Sequence, residues 1–397
     1  MKVLFVSHYS FLYGSNRSLD SLIDYFISQG EDVEVLLPSK GKFYVHLENK
    51  GVKVQTLRFF YEVMYVKWNK KYLSLPLLWV YNLLMFPLLL WKVKKINPDV
   101  IYSNSSVDAY SIFIAKILGC KHVYHVREFL EEDFGSHFIF GKKLKRKLIL
   151  WSDKIIFVSQ AVAKAVVGDI PQNGRVIYNG LPQAKELREN INFTKSLKLG
   201  VVGNIDISKQ QHLAIEYMNE IREKYPNISL HIIGDKECPY KHYIQKLVKR
   251  LNLQSVVVFE GFVRNVEDIY NKFDVLLMCS RSEAFGRVTI EAMLRNIPVI
   301  GFDSGGTSEL IDNGATGFKF ENINDIMFAL NTIINNSEKT HEIIKEARTV
   351  AQLKFSESTY VVNVYNYVNN NGSKTFFIYR YNKRCRYYSH SSWTYSF

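Results

Sequence analysis

Two series of short apolar runs, each run followed by a stretch of helical periodicity, constrain what this chain can fold into. In the first series VLFVS, VEVLLP, PDVIYSN, KHVYHV and KIIFVS read as strands. Between the first two, residues 15–29 carry Leu19, Leu22, Ile23 and Phe26 at helical spacing, and Gly30 ends the helix. The pattern restarts near residue 197 with SLKLGVVG, SLHIIGD, VVFEGF, DVLLMCS and IPVIGF. Such alternation builds parallel, doubly wound sheets. The predicted class is α/β: two Rossmann-like domains, residues 1–180 and 181–355, facing across a cleft, with RVIYNGLPQAKELREN at 175–190 as the linker. In such sheets ligands bind outside the carboxyl ends of the strands, and a cleft between domains is a common place for a site.

A length of 397 residues suits two domains, and 47% hydrophobic residues suffice for two cores. The apolar run from Val3 to Val6 is too short for a signal peptide. Four cysteines (Cys120, Cys238, Cys279, Cys385) show no CxxC pairing. The expectation is a cytoplasmic chain with reduced thiols and no structural zinc. The net charge of +13 invites nucleic acid, an anionic membrane or phosphorylated ligands. No zinc finger, RNA-binding signature or helix-turn-helix pattern supports nucleic acid.

The positive charge gathers at Lys67–Lys71, Lys92–Lys95 and Lys142–Lys147, and the first two groups flank an apolar segment from Tyr72 to Trp91. That segment is long enough to span a bilayer, but Ser74, Pro76, Asn82 and Pro87 interrupt it. Two readings remain. One is a helix lying in the membrane interface, its lysines on anionic headgroups, which makes the protein peripheral on the inner face of the membrane. The other is a buried helix pair of the first domain with a proline break. Residues 372–397 are basic and aromatic with no acidic residue; they read as an atypical, poorly ordered end in preference to a membrane-touching extension.

The most informative stretch is SRSEAFGRVTIEAMLRNIPVIGFDSGGTSELI, Ser280 to Ile311. It follows the apolar strand DVLLM. Glu283 falls in the loop after that strand, Gly286 opens a helix, and Glu291 lies about one turn inside it. A helix N-terminus, with free N–H groups and the positive dipole end, suits a pyrophosphate. Two carboxylates on either side of a phosphate site suit two hydroxyl-rich groups, a ribose and a sugar. Taken alone, the spacing of the two glutamates equally describes a helix-capping acid and an exposed helix acid.

The motifs in order carry more. SEAFGRVTIEAM, PVIGFDSGGTSELI and GATGF resemble the donor-site signature of retaining glycosyltransferase family 4 (glycosyl transferases group 1), whose fold is the two-domain GT-B type. NPDVIYSN, DKIIFVS, VIYNGL, GVVGNIDISKQQHLAIE, IIGD, VFEGFV and DIYNKFDVLL stand in the order expected of it, so the resemblance runs to about residue 370. It implies a retaining, metal-independent hexosyltransferase with no cofactor, moving a sugar from a nucleotide-sugar to a glycan or lipid-linked acceptor. By family analogy alone, the setting is bacterial surface polysaccharide synthesis, such as capsule. A helix at 356–371 is expected to cross back to the first domain.

The resemblance also assigns roles. Glu291 would bind the ribose hydroxyls and Glu283 the hydroxyls of the transferred sugar. Phe285, Gly286 and Arg287 would present backbone N–H groups to sugar and phosphates. Lys209 would neutralise the diphosphate as it leaves. His125 matches a histidine that touches the transferred sugar. Gly14 stands in a loop that is glycine-rich in the family, and Arg17 beside it is placed to meet a phosphate. Arg127 and Glu128 would form an ion pair or bind acceptor. At one point the chain departs from the pattern. Where members often pair an arginine with the lysine, it has Asn204, which donates hydrogen bonds but brings no charge: either Arg287 or another base compensates, or the phosphate is held less tightly. No Asp-x-Asp follows a strand to hold a divalent metal, and both glutamates are assigned to hydroxyl binding. The resemblance further implies front-face attack, with the leaving phosphate taking the acceptor's proton. A GT-B nucleotide-sugar epimerase and a non-catalytic nucleotide-sugar binding protein are the rival readings.

Overall fold

The computed structural model describes residues 1–12, 14–59, 63–65, 75–129, 136–138, 141–188, 193 and 196–369. Lys67, Lys70, Lys71 and the 372–397 tail lie outside them. Strands β1 (Lys2–Val6), β2 (Asp32–Leu37), β3 (Lys53–Thr56), β4 (Val63–Tyr65), β5 (Val100–Ser103), β6 (Lys121–Val126), β7 (Ser136–Phe138), β8 (Lys154–Phe157) and β9 (Gly174–Val176) belong to the first half. β10 (Lys198–Val202), β11 (Ser229–Ile233), β12 (Val257–Gly261), β13 (Val275–Met278), β14 (Val299–Phe302) and β15 (Phe318–Phe320) belong to the second. The helices of the first half are α1 (Gly14–Ser28), α2 (Lys42–Asn49), α3 (Leu75–Ile96), α4 (Tyr110–Leu118), α5 (Gly141–Leu150) and α6 (Gln160–Val167). Those of the second are α7 (Gln211–Lys224), α8 (Pro239–Arg250), α9 (Val266–Tyr270), α10 (Arg287–Met293), α11 (Gly305–Leu310), α12 (Ile323–Asn335), α13 (Ser337–Lys354) and α14 (Glu357–Asn369).

Seven strands form a sheet in the order β3-β2-β1-β5-β6-β8-β9, and six form a second in the order β12-β11-β10-β13-β14-β15, every pairing parallel. Parallel strands are covered by helices on both faces, which is why they read as unbroken apolar runs; Val3 to Phe5 are wholly buried. Each sheet reverses its winding once, beside β1 in the first and beside β10 in the second. The loops after β1, β5, β10 and β13 therefore emerge at the switch points, where such sheets bind ligands.

Helix α14 follows the second sheet in the chain but packs against α1, and Tyr360, Val361 and Val364 share a buried cluster with Phe5 and Phe26. A different apolar cluster runs continuously from residues of the first sheet, such as Tyr124 and Phe157, to Leu276 and Val299 of the second. At the junction Phe285 stands 6.2 Å from the Tyr178 ring and 6.1 Å from that of Phe355, centroid to centroid. A polar latch lies alongside. Glu309 on α11 accepts from the backbone N–H groups of Gln160 (2.9 Å) and Ala161 (2.6 Å), at the start of α6, and from the Tyr178 hydroxyl (2.9 Å).

The apolar segment is one continuous helix, α3, running through Pro87, and not a broken pair. Leu89, Val93 and Ile96 pack onto the first sheet, whereas Leu84 is 72% and Trp91 54% exposed. Among the described residues no helix is long and apolar enough to cross a membrane.

Three histidines of the first half, His8, His122 and His125, are held neutral by burial. Burial pushes His8 down to about 4 and His122 to about 3. His122 is held by the Ser103 hydroxyl (3.0 Å) and the Ser152 hydroxyl (2.9 Å). A folded-state pKa below the unfolded value means that the unfolded chain binds the proton first, so this stability is complete above the unfolded pKa near 6.5 and is lost as pH falls toward the folded values. We expect the unfolding free energy to be flat above about pH 7 and to drop by about 1.4 kcal/mol per buried histidine at about pH 5.5. Denaturant titrations of wild type and His122→Gln at the two pH values check this: the variant should show a shallower loss.

Candidate active site

The loop after β13 and the short helix α10 present the main group of charges. Gly286 caps α10 at φ 92°, a left-handed backbone that glycine adopts without strain. The helix that it opens has seven residues, so the expected dipole contribution at its N-terminus is that of two turns, and the local charge resides mainly in side chains. Glu283 lies in the loop and forms an ion pair with Lys209. Lys209 ends the 3-10 turn Ile207–Lys209 after β10, where the Asp206 carboxylate accepts from the Ser208 N–H (3.1 Å) and from Lys236 (2.7 Å). Asn204, in the same loop, is exposed, and its carbonyl accepts from the Gln211 amide (2.9 Å).

Glu291 accepts a hydrogen bond from the Tyr270 hydroxyl (2.8 Å) and lies 3.8 Å from the Arg287 guanidinium. Burial and the Glu291 charge raise the Tyr270 pKa well above its usual value, so the phenol stays a donor. Arg287 reaches the other domain, donating to the Ser18 hydroxyl of α1 (3.3 Å). Burial lowers its pKa; Glu291 opposes this, and Arg17 and Arg127 add to it. Three arginines from three elements thus converge on one region. Phe285 contributes through its ring at the domain junction.

On the opposite wall the loop after β1 is held by the buried Asn16, whose amide donates to the carbonyls of Tyr9 (3.0 Å) and Phe11 (2.8 Å). Gly14 starts α1 at φ 39°, and Arg17 is exposed one turn on. His125 sits inside β6 with no exposed surface, so the structure does not bring it to the cleft. Its Nδ1 meets the Tyr102 hydroxyl at 2.6 Å and its ring packs 6.3 Å from that of Tyr360. Burial, and then the Arg127 charge, lower its pKa well below the usual value and keep it neutral. Arg127, just beyond the strand, is the residue nearer the other arginines. It does not pair with Glu128, which accepts instead from Ser105 (2.5 Å) and from the N–H (2.9 Å) and hydroxyl (3.1 Å) of Ser106. Beside Glu283 a cavity of about 370 Å³ is lined by Phe129, Ala161, Lys164 and Ala165 of the first half and by Arg281, Ser282, Ser304 and Gly305 of the second.

Sequence reasoning missed Tyr270, Ser18 and Glu309. Each acts through a partner far along the chain, and none stands in a local pattern that would have marked it.

Two parallel-sheet domains joined across a charged cleft are the GT-B arrangement, and the comparisons agree. Residues 183–350 match the family described as "Glycosyl transferases group 1", and residues 13–185 match "Glycosyltransferase Family 4"; the chain belongs to this family. It is 27% identical over 368 residues to sulfoquinovosyl transferase SQD2 of Arabidopsis thaliana, covering 86% of this chain and 67% of that one. It is 25% identical over 288 residues to the O-antigen biosynthesis glycosyltransferase WclY of Escherichia coli, covering 68% and 79%. Among solved structures, Anabaena HepE in complex with UDP superposes with a TM-score of 0.75 at 22% identity, covering 93% and 99% of the two chains.

The Glu283 loop is held by close backbone packing. Gly306 donates its N–H to the Glu283 carbonyl (2.6 Å), and a Cβ at Gly306 would stand 2.8 Å from the Phe285 Cα and the Ala284 carbonyl. Gly306→Ala should therefore displace the loop, at about 1–3 kcal/mol of stability. A thermal melt lowered by several degrees is the expected result, and a melt equal to wild type would show that the loop yields freely.

Proposed function

We propose that the protein is a retaining, metal-independent glycosyltransferase that binds a nucleoside diphosphate sugar against the second domain and transfers the sugar to a glycan or lipid-linked acceptor in surface polysaccharide synthesis. The observation that carries this reading is the pair of adjacent ion pairs, Lys209–Glu283 and Arg287–Glu291, at the switch point of the second sheet. Each pair holds one group for phosphate and one for hydroxyls. When a donor arrives, Lys209 and Arg287 turn to the diphosphate, Glu283 is released to the sugar hydroxyls, and Glu291, steadied by Tyr270, takes the ribose. Phe285, Gly286 and Arg287 set the backbone at the sugar and phosphates, and Gly14 lets the first domain approach. Arg287 fills the place of the charge that Asn204 lacks. The acceptor hydroxyl attacks the anomeric carbon as the bond to the diphosphate breaks, and the leaving phosphate oxygen takes the proton. The relatives named for O-antigen synthesis support the polysaccharide setting, and HepE makes UDP the first nucleotide to try.

A second observation favours a membrane-borne acceptor. Val80, Leu84, Leu88 and Trp91 form an exposed stripe on α3, and α4, packed beside it, adds Ile117. Lys94 and Lys95 are exposed at the end of the stripe, with Lys95 4.3 Å from the Trp91 ring centroid. A helix of this kind lies in the headgroup region with its apolar side down.

Two predictions follow from these features. Lys209→Ala should lower kcat by about 10²–10³, because charge grows on the leaving group in the transition state, while Glu291→Ala should mainly raise donor KM. EDTA should leave the rate unchanged. Steady-state kinetics with UDP-sugars check this, and a near-normal kcat in Lys209→Ala together with a rate abolished by EDTA would overturn the assignment. On the membrane side, Leu84→Asp combined with Trp91→Asp should abolish sedimentation with vesicles containing anionic lipid, and salt should weaken wild-type binding; indifference to both would make the stripe an ordinary surface.

A further inference from the structure

Arg127 carries a charge that the protein does not balance. It is 8% exposed, and burying an unpaired charge is strongly unfavourable. Its three hydrogen bonds all go to neutral oxygens: Nε to Asn104 Oδ1 (3.0 Å), Nη1 to Asn179 Oδ1 (2.6 Å) and Nη2 to the Tyr360 hydroxyl (2.8 Å). Among the described residues no carboxylate lies within ion-pair distance, and the neighbouring Glu128 is turned to Ser105 and Ser106. A guanidinium has five N–H donors, so two remain. The three partners come from the loop after β5, the stretch following β9, and α14. They fix the fork from three sides while adding no charge, as expected of a group kept for an incoming anion.

Arg17 is the second cation of this wall. It is exposed, and its side chain has no hydrogen-bond or ion-pair partner among the described residues. Lys209 and Arg287, on the other wall, each already face a glutamate. Arg127 and Arg17 therefore bring uncompensated positive charge to the N-terminal wall.

We propose that Arg127 and Arg17 together bind a phosphate group on the N-terminal wall of the cleft. The proposal rests on the nucleotide-sugar reading of the cleft for its setting, but not for its chemistry. Planar, bidentate recognition by arginine is matched to phosphate. Two substrates can bring that phosphate: the donor, with its diphosphate reaching across the cleft, or an acceptor that carries a phosphate near its reacting hydroxyl.

The test is calorimetry with two probes, UDP and inorganic pyrophosphate, on wild type, Arg127→Gln, Arg127→Lys and Arg17→Gln. Pyrophosphate affinity should fall about tenfold or more in the Gln variants, and Arg127→Lys should restore it only in part, because the charge returns without the fork. If UDP affinity falls in parallel, the donor supplies the phosphate. If UDP affinity holds within twofold, and UDP-saturated wild type still binds pyrophosphate while the Gln variants do not, the acceptor supplies it. Pyrophosphate binding that is absent in wild type, or unchanged in the Gln variants, overturns the site. Failure of wild type to bind UDP while pyrophosphate binding still depends on the two arginines would sink the donor reading and leave this one standing. Arg17→Gln removes an exposed side chain without partners, so it carries the test even where loss of Arg127 disturbs folding.

Discussion

Everything in the cleft depends on the apolar bridge between the two sheets. The charged groups of the cleft belong to separate Rossmann-like units. Phe285 sits between Tyr178 and Phe355, in the loop that also carries Glu283, so the packing that joins the domains positions that loop as well. Glu309 adds direction to that contact. It binds the first backbone donors of α6 in the other domain, where a carboxylate also meets the favourable end of the helix. Tyr178 donates to the same carboxylate, and burial followed by Glu309 raises its pKa. The domain junction and the Glu283 loop are thus one packed unit, and a change in one is felt in the other.

The charge pattern of the cleft follows from this arrangement. On the C-terminal wall Lys209 and Arg287 each face an acid, which holds both groups in place. On the N-terminal wall Arg127 and Arg17 have none. Ser18 receives Arg287 from the far wall and stands next to Arg17 in α1, so the two walls meet through a neutral hydroxyl and not through opposed charges.

Much of this was legible in the sequence, for identifiable reasons. Parallel strands buried on both faces show as apolar runs, and the resemblance to the family singled out Lys209, Glu283 and Glu291 in the stretches that follow β10 and β13. How deep a residue near a strand end lies was not legible: His125 has no exposed surface, and Arg127, two residues on, is buried against the same Tyr360. Tyr270 and Glu309 escaped notice because their partners lie 21 and more than 130 residues away. The segment from Tyr72 to Trp91 was read as either core or surface, and α3 is both, one side on the sheet and the other outward.

The last helix has a consequence for how the molecule is made. Tyr360 and Val364 complete the apolar cluster that contains Phe5 and Phe26, so the opening strand waits for residues translated more than 350 positions later. At about 5–20 residues per second, the ribosome separates the two by roughly half a minute. Throughout that interval the first domain exists without its closing helix, while the second can assemble from contiguous sequence. The domain that begins the chain is therefore the one whose native packing is finished last.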